Sequence, residues 1–276
     1  MYCNNELWKL FKLLKQRMNE VAMKKRVHRI LENSLAELYP ENQLYLKGST
    51  VNKLGSHNSD LDLTLVMPSS VSTSCNDILA FETLVCAKNH LQNQPLLPKS
   101  TLLMLGFPFC NCVTGIYNSH LLRYFAELDE RFVAMAVVIK KHCCKNGVLD
   151  SPNGRLNSYA ITLMIVHFLQ CGVHPPHPSN LMALFPLIFD GKSTAVEKLE
   201  YNWVLPIPKI AENKRTLAEL VLGFYNYYTE FDYENDGVSI SEARVFSKEE
   251  KEDVIDILTT LFIWKTHMNM TLWPEI

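Results

Sequence analysis

Apolar residues follow two rhythms along this chain. Near the start, Leu7, Leu10, Phe11, Leu14, Met18 and Val21 or Met23 form a helical stripe, which predicts an amphipathic helix. A second helix is expected over 24–38, stopped at Tyr39-Pro40. The period then shortens, and "QLYLKGS" and "LDLTLVMP" read as two strands joined by a polar loop that holds Gly55. After "SSVSTSCND", the run "ILAFETLVCAKNHLQ" predicts a helix with Asn76 or Asp77 as its N-cap. "QPLLPKSTLLMLGFPFCNC" reads as one or two more strands, interrupted by Pro98 and Gly106.

From Asn118 onward the period is helical. "SHLLRYFAEL", "ERFVAMAVVIKKHCCKNG" and "SYAITLMIVHFLQCG" each predict a helix, the last two with Gly147 and Gly172 at the C′ position. "TLAELVLGFYNYYTEF" and "SKEEKEDVIDILTTLFIWKTHM" predict two further helices. The aromatic run "GFYNYYTEF" suits a helical core better than an exposed docking surface. The expected fold class is α+β: a small α/β domain with a mixed sheet over 21–120, clasped by a helical domain formed from 1–20 and 121–276.

Composition narrows this picture without changing it. The 276 residues are 47% hydrophobic, enough for one large core or two ordinary ones. A net charge of −2 excludes a globally basic nucleic-acid binder but leaves room for a local basic groove. Eight cysteines show no CxxC pair or zinc-finger spacing, which points to a reduced compartment, cytosolic or nuclear. His142-Cys143-Cys144 is no metal cluster, because consecutive helical residues point in different directions. The N-terminus lacks the continuous apolar stretch of a signal peptide, and "YAITLMIVHFLQ" is too short to span a bilayer, so no membrane contact is expected.

The chemistry concentrates in "KGSTVNKLGSHNSDLDLTLVM". Two residues apart in a strand, Asp60 and Asp62 share a face, while Leu61, Leu63 and Leu65 take the core side. Paired carboxylates repel unless a cation lies between them, and oxygen ligands of this kind suit Mg²⁺ shared with substrate phosphates. Upstream, Gly48 and Ser49 would offer backbone N–H groups and a hydroxyl to a phosphate. A purely structural helical protein would leave these features unexplained.

This stretch resembles the active-site signature of the DNA polymerase beta nucleotidyltransferase superfamily, and more narrowly the cytoplasmic non-canonical poly(A) polymerases and terminal uridylyltransferases. "GIYNSHLLRYFAELDERF", "VVIKKHCCKNGVLDSPNGRLNSYAITLMIVHFLQ" and "TLAELVLGFYNYYTEFDYENDGVSISEA" resemble later parts of that family in order and spacing. The resemblance implies a nucleotidyltransferase domain followed by a poly(A)-polymerase-associated domain. It implies Asp60 and Asp62 as catalytic ligands of Mg²⁺ or Mn²⁺. It further implies nucleotide binding by Gly48 and Ser49 at the terminal phosphate and by Asn118 and Ser119 near the ribose. Lys141 and Lys145 would hold the triphosphate, with Ser158 on a phosphate and Tyr159 stacked on the base. The implied partners are ATP or UTP, an RNA 3′ end and a separate RNA-binding protein, in the cytoplasm.

Two departures qualify that implication. The family's third metal-binding aspartate stands eight residues before the Gly of its "GIxNS" segment; counting back from Gly115 gives Phe107. No Asp or Glu occurs between Glu82 and Glu127, and Asn111 offers only a neutral oxygen. Two-metal phosphoryl transfer holds its ions ~3.5–4 Å apart, so the loss is expected to impair catalysis. The family's base-recognition loop is also missing, since "SISEARVFSKEEKEDVIDILTT" reads as passing straight into a helix. The expectation is a tailing-family protein with impaired or lost transfer, the alternative being an active Mg²⁺-dependent poly(A) or poly(U) polymerase.

Overall fold

The structure, a computed structural model, describes residues 2–67, 77–92, 109–110, 113–149, 155–176, 180–201, 204–207, 212–251 and 260–261. Chain contacts divide it into two compact units: Lys15–Tyr124 with Ala195–Tyr201, and Met1–Leu14 with Phe125–Thr194 and Asn202–Ile276.

In the first unit, helix α2 (Met18–Leu38) leads into β1 (Gln43–Lys47), β2 (Asp62–Val66), α3 (Asp77–Gln92), β3 (Phe109–Cys110) and α4 (Thr114–Leu128). The sheet order is β1-β2-β3. β1 runs antiparallel to β2, from Gln43 opposite Val66 to Lys47 opposite Asp62; β3 runs parallel to β2, with Thr64 opposite Phe109. The mixed sheet expected from sequence is therefore present. Leu61, Leu63 and Leu65 face a core with Leu44, Leu31 and Leu35 of α2, and Ala87 and Leu91 of α3. The period of two in the strand and of four along α2 puts these side chains on facing surfaces. The N-cap of α3 and the interrupted strand segment over 93–108, with Phe107 and Asn111, lie outside the described residues.

The second unit begins with α1 (Tyr2–Leu14) and continues with α5 (Glu130–Lys145) and α6 (Ser158–His167), which runs into a wide π-turn at Phe168–Gly172. Two single-turn helices, α7 (Leu181–Leu184) and α8 (Pro186–Phe189), precede α9 (Leu217–Thr229). A small sheet follows, ordered β5-β4-β6, from β4 (Asp236–Ser239), β5 (Arg244–Ser247) and β6 (Thr260–Leu261). Helix starts are capped as the chemistry demands. Asp129 accepts from Arg131 N, Asn157 accepts from Ala160 N, and Thr216 and Glu219 cap α9 reciprocally. Residues 160–167 of α6 are all buried, so this helix needs no polar face. Phe224, Tyr225 and Tyr228 of the aromatic run are buried, so they form core.

Four expectations are corrected. The first apolar stripe is split, because Gln16 N–H donates to Gly55 O at 3.0 Å instead of continuing a helix. α2 then starts at Met18 rather than Lys24, with Arg17 N–H bound to the Glu20 carboxylate at 2.7 Å. Gly172 is not a left-handed C′ residue but lies inside the π-turn, where an added Cβ would meet the Phe168 ring at 2.5 Å. The final expected helix, over 247–268, is replaced in its described parts by the last residue of strand β5, a 3₁₀ turn at Lys248–Lys251 and strand β6. Ser247 instead pairs with Asp236 of β4 in the β4–β5 hairpin.

Candidate active site

Strand β1 ends where Gly48 turns the chain with φ +66°, a conformation that favours glycine. A Cβ at this position would also collide with the Asp62 carboxylate. Gly48 N–H donates to Ser119 Oγ at 2.7 Å, and Ser119 in turn donates to Gly115 O at 2.5 Å. Ser49 N–H is directed to Asp62 and favours its charged form. The backbone donors expected to face a phosphate are thus engaged within the chain, as is the Ser119 hydroxyl. The half-buried Ser49 side chain and Thr50, whose buried Oγ1 has no hydrogen-bond partner among the described residues, complete the turn.

Asp60 and Asp62 stand at the other end of this arrangement. β2 begins only at Asp62, so Asp60 occupies the approach to the strand and is exposed, a correction to a pair placed wholly within it. The two nevertheless interact. Burial raises the Asp62 pKa; Lys47 and Lys24 oppose that shift, and the Asp60 charge adds to it. Lys47 lies directly across the strand pair from Asp62, and its stem passes over Gly115, where a Cβ would stand 2.9 Å from Lys47 Cδ. Lys24 Nζ donates to Asp60 O at 2.9 Å and to Ser59 Oγ at 3.0 Å. Burial lowers the Lys24 pKa, against the charges of Asp62, Glu20 and Asp60.

The loop that delivers the aspartates is fastened by three residues spaced four apart. Gln16 binds Ser59 Oγ, Glu20 binds His57 Nδ1 at 2.8 Å and Asn58 N at 3.2 Å, and Lys24 holds Asp60. Gln16, Glu20, Lys24 and Lys47 were not singled out from sequence, although the four-residue spacing was readable. A second fastening, with no side-chain signature, is Glu200 O, which accepts from Tyr124 OH at 3.1 Å and contacts His120 Nε2 at 2.8 Å.

In the helical unit, Lys141 and Lys145 are exposed on α5, one turn apart. Burial pushes the neighbouring Lys140 ammonium down to about 8. Ser158, exposed, and Tyr159, half-buried, open the first turn of α6. Asn118 is half-buried on α4, one residue before Ser119.

These residues do not fit a pair of divalent ions. Asp60 and Asp62 are already flanked by two ammonium groups, and the described residues contain no group of three or more His, Cys, Asp or Glu that could hold a metal. Hard divalent cations favour several oxygen ligands without competing positive charge. Among the described residues no helix is long and apolar enough to cross a membrane.

Comparison with known proteins places this geometry. Residues 3–104 match the family model of the central palm domain of mitochondrial-like poly(A) RNA polymerase, and residues 216–261 match that of the Cid1 family poly A polymerase. The chain is 30% identical over 265 residues to the Xenopus laevis poly(A) RNA polymerase GLD2-B, covering 89% of this chain and 51% of that protein. It is 28% identical over 264 residues to Caenorhabditis elegans poly(A) RNA polymerase gld-2, covering 87% of this chain and 23% of that one. The chain therefore spans about half the length, or less, of these relatives. Among solved structures, a GLD-2/RNP-8 complex matches with TM-score 0.78 and 27% identity, over 89% of this chain and 80% of that one. A Cid1 poly(U) polymerase bound to MgATP shares the fold, with TM-score 0.70 and 24% identity over 91% of this chain and 81% of that one.

Proposed function

The chain belongs to the non-canonical poly(A)/poly(U) polymerase family, and from that premise we propose that it is a degenerate RNA-tailing protein with little or no nucleotidyl transfer. The observation that carries this reading is the absence of any Asp or Glu between Glu82 and Glu127, the segment where the family's third carboxylate belongs. Counting back eight residues from Gly115 gives Phe107 at that position.

In this reading the protein engages ATP or UTP and an RNA 3′ end as a binding scaffold in the cytoplasm, alongside an RNA-binding protein. Gly48 and Ser49 shape the turn that meets the terminal phosphate, and Asn118 lies by the ribose. Lys141 and Lys145 supply charge for the triphosphate, Ser158 a hydroxyl, and Tyr159 a ring for the base. Transfer itself depends on electrostatic stabilisation, which is a large share of catalysis in phosphoryl transfer. Two carboxylates neutralised by two lysines supply little of it. Mg²⁺ or Mn²⁺, used with nucleotide in the family, would have only Asp60 and Asp62 as charged ligands here.

The test is extension of a labelled oligo(A) RNA with Mg²⁺ or Mn²⁺ and each of the four nucleoside triphosphates, beside Asp60→Ala/Asp62→Ala. The expected outcome is no extension above that control. Extension that the double variant abolishes would overturn the reading in favour of an active poly(A) or poly(U) polymerase.

A further inference from the structure

Lys47 is the last residue of β1, and the register sets it directly opposite Asp62. Opposed residues of an antiparallel pair project to the same face, with Cβ atoms ~4.5–5.5 Å apart. A second feature, independent of the register, guides the side chain. Gly115 leaves the space through which the Lys47 stem passes, where an added Cβ would stand 2.9 Å from Cδ and 3.3 Å from Nζ. Gly48 performs the matching service on the other side, since its missing Cβ admits the Asp62 carboxylate. The register and two glycines thus direct a lysine and an aspartate to one face at the end of β1.

We propose that Lys47 is the resident counter-cation of the Asp60/Asp62 pair and keeps divalent cations out of it. This goes beyond the proposed loss of transfer, which rests on the missing carboxylate, by assigning a residue that blocks the ion at the two carboxylates that remain. The ammonium relieves the repulsion that would otherwise draw in a divalent ion. Lys24 adds a second positive charge, but it is anchored on Asp60 O and Ser59 Oγ rather than across from the Asp62 side chain. Lys47 is therefore the group whose removal opens the pair.

The test is direct binding of Mn²⁺ alone to the full chain, read as loss of the free-ion electron paramagnetic resonance signal. Lys47→Met keeps the stem over Gly115 and removes the charge, whereas Lys47→Arg keeps the charge. Lys47→Met is expected to bind Mn²⁺ at least about tenfold more tightly than wild type, since a like charge on the same face as Asp62 is removed. Lys47→Arg is expected to match wild type, and Asp62→Asn added to Lys47→Met is expected to abolish the gain. Thermal melts of each variant show that it is folded. Equal Mn²⁺ affinity in wild type and Lys47→Met, strong or absent, would overturn the inference. Because no RNA or nucleotide is present, this outcome is separate from the tailing assay, and either idea can fail alone.

Discussion

The turn that joins β1 to the aspartates and the aromatic layer around the π-turn use one device for opposite ends. In each, a pair of glycines admits a side chain that a Cβ would exclude. Gly48 and Gly115 make room for the Asp62 carboxylate and the Lys47 stem. Gly172 and Gly223 make room for the ring of Phe168, with added Cβ atoms 2.5 and 3.0 Å from it. The first pair gathers charge at the end of a strand. The second closes an apolar layer, in which Phe168 meets Phe224 edge-on at 5.9 Å and Phe224 meets Tyr228 at 5.1 Å. Tyr228 OH donates to Met164 O at 2.9 Å within that layer, while His167 Nδ1 and Gln170 Oε1 find no hydrogen-bond partner among the described residues. Glycine inside a helix costs roughly 1 kcal/mol, and at Gly223 the packing of a large ring offsets it. At Gly48 and Gly115 no comparable apolar burial compensates, so those glycines serve the site more than the fold.

The strongest way to break this contrast is to remove the ring from one pocket and the charge from the other. Phe168→Ala removes a ring that is 1% exposed and is expected to cost about 3–5 kcal/mol in urea unfolding. Lys47→Met, which keeps the stem over Gly115 and removes the charge, should shift the midpoint far less. Similar losses would show that the charged pair supports folding as much as the aromatic layer does.

A second, smaller effect belongs to the layer's own polar member. His167 is 0% exposed, contacts Tyr227 OH through Nε2 at 3.0 Å, and has its pKa pushed by burial down to about 4. The unfolded chain, with histidine near 6.5, then binds more protons than the folded one between those values. Its stabilising effect is full above pH ~6.5 and is lost as pH falls toward 4, by at most about 3 kcal/mol. Unfolding of wild type and His167→Leu at stepped pH should show the variant with the flatter profile across that window. Identical slopes would remove His167 from the account.

Much of this architecture was legible because its signals are local. The period of two in "LDLTLV", the helical period of α5 and α6, and the Gly-Ser turn each depend on a few neighbouring residues. The illegible parts depend on partners far along the chain. α1 ends because Gln16 N–H is taken by Gly55 O, and no residue within 1–17 announces that. The β5 strand follows from pairing with β4, against the helical suggestion of the Lys-Glu run that succeeds it. Gly172 carried a C-terminal signal that the packing of Phe168 reassigned. The pairing of Lys47 with Asp62 needed the hairpin register, which a fourteen-residue irregular loop from 48 to 61 conceals. Asp60 and Asp62 were thus readable as a carboxylate pair, while the lysines that flank them were not.

The smallest predicted effect sharpens the contrast most. Thr50 follows Ser49 in the turn, is 7% exposed, and its Oγ1 has no hydrogen-bond partner among the described residues. A buried hydroxyl without a partner loses its hydration and gains nothing in return. Thr50→Val keeps the shape and removes that penalty, so it is expected to stabilise the protein by about 1 kcal/mol in urea unfolding. The hydroxyl is of use either to the fold or to a ligand. Binding of a fluorescent ATP analogue to the same variant separates the two uses: a more stable protein with weaker binding identifies the Thr50 hydroxyl as a nucleotide contact. A less stable Thr50→Val would mean instead that the hydroxyl is satisfied within the fold, and the charged turn would then resemble the aromatic layer more closely than its glycines suggest.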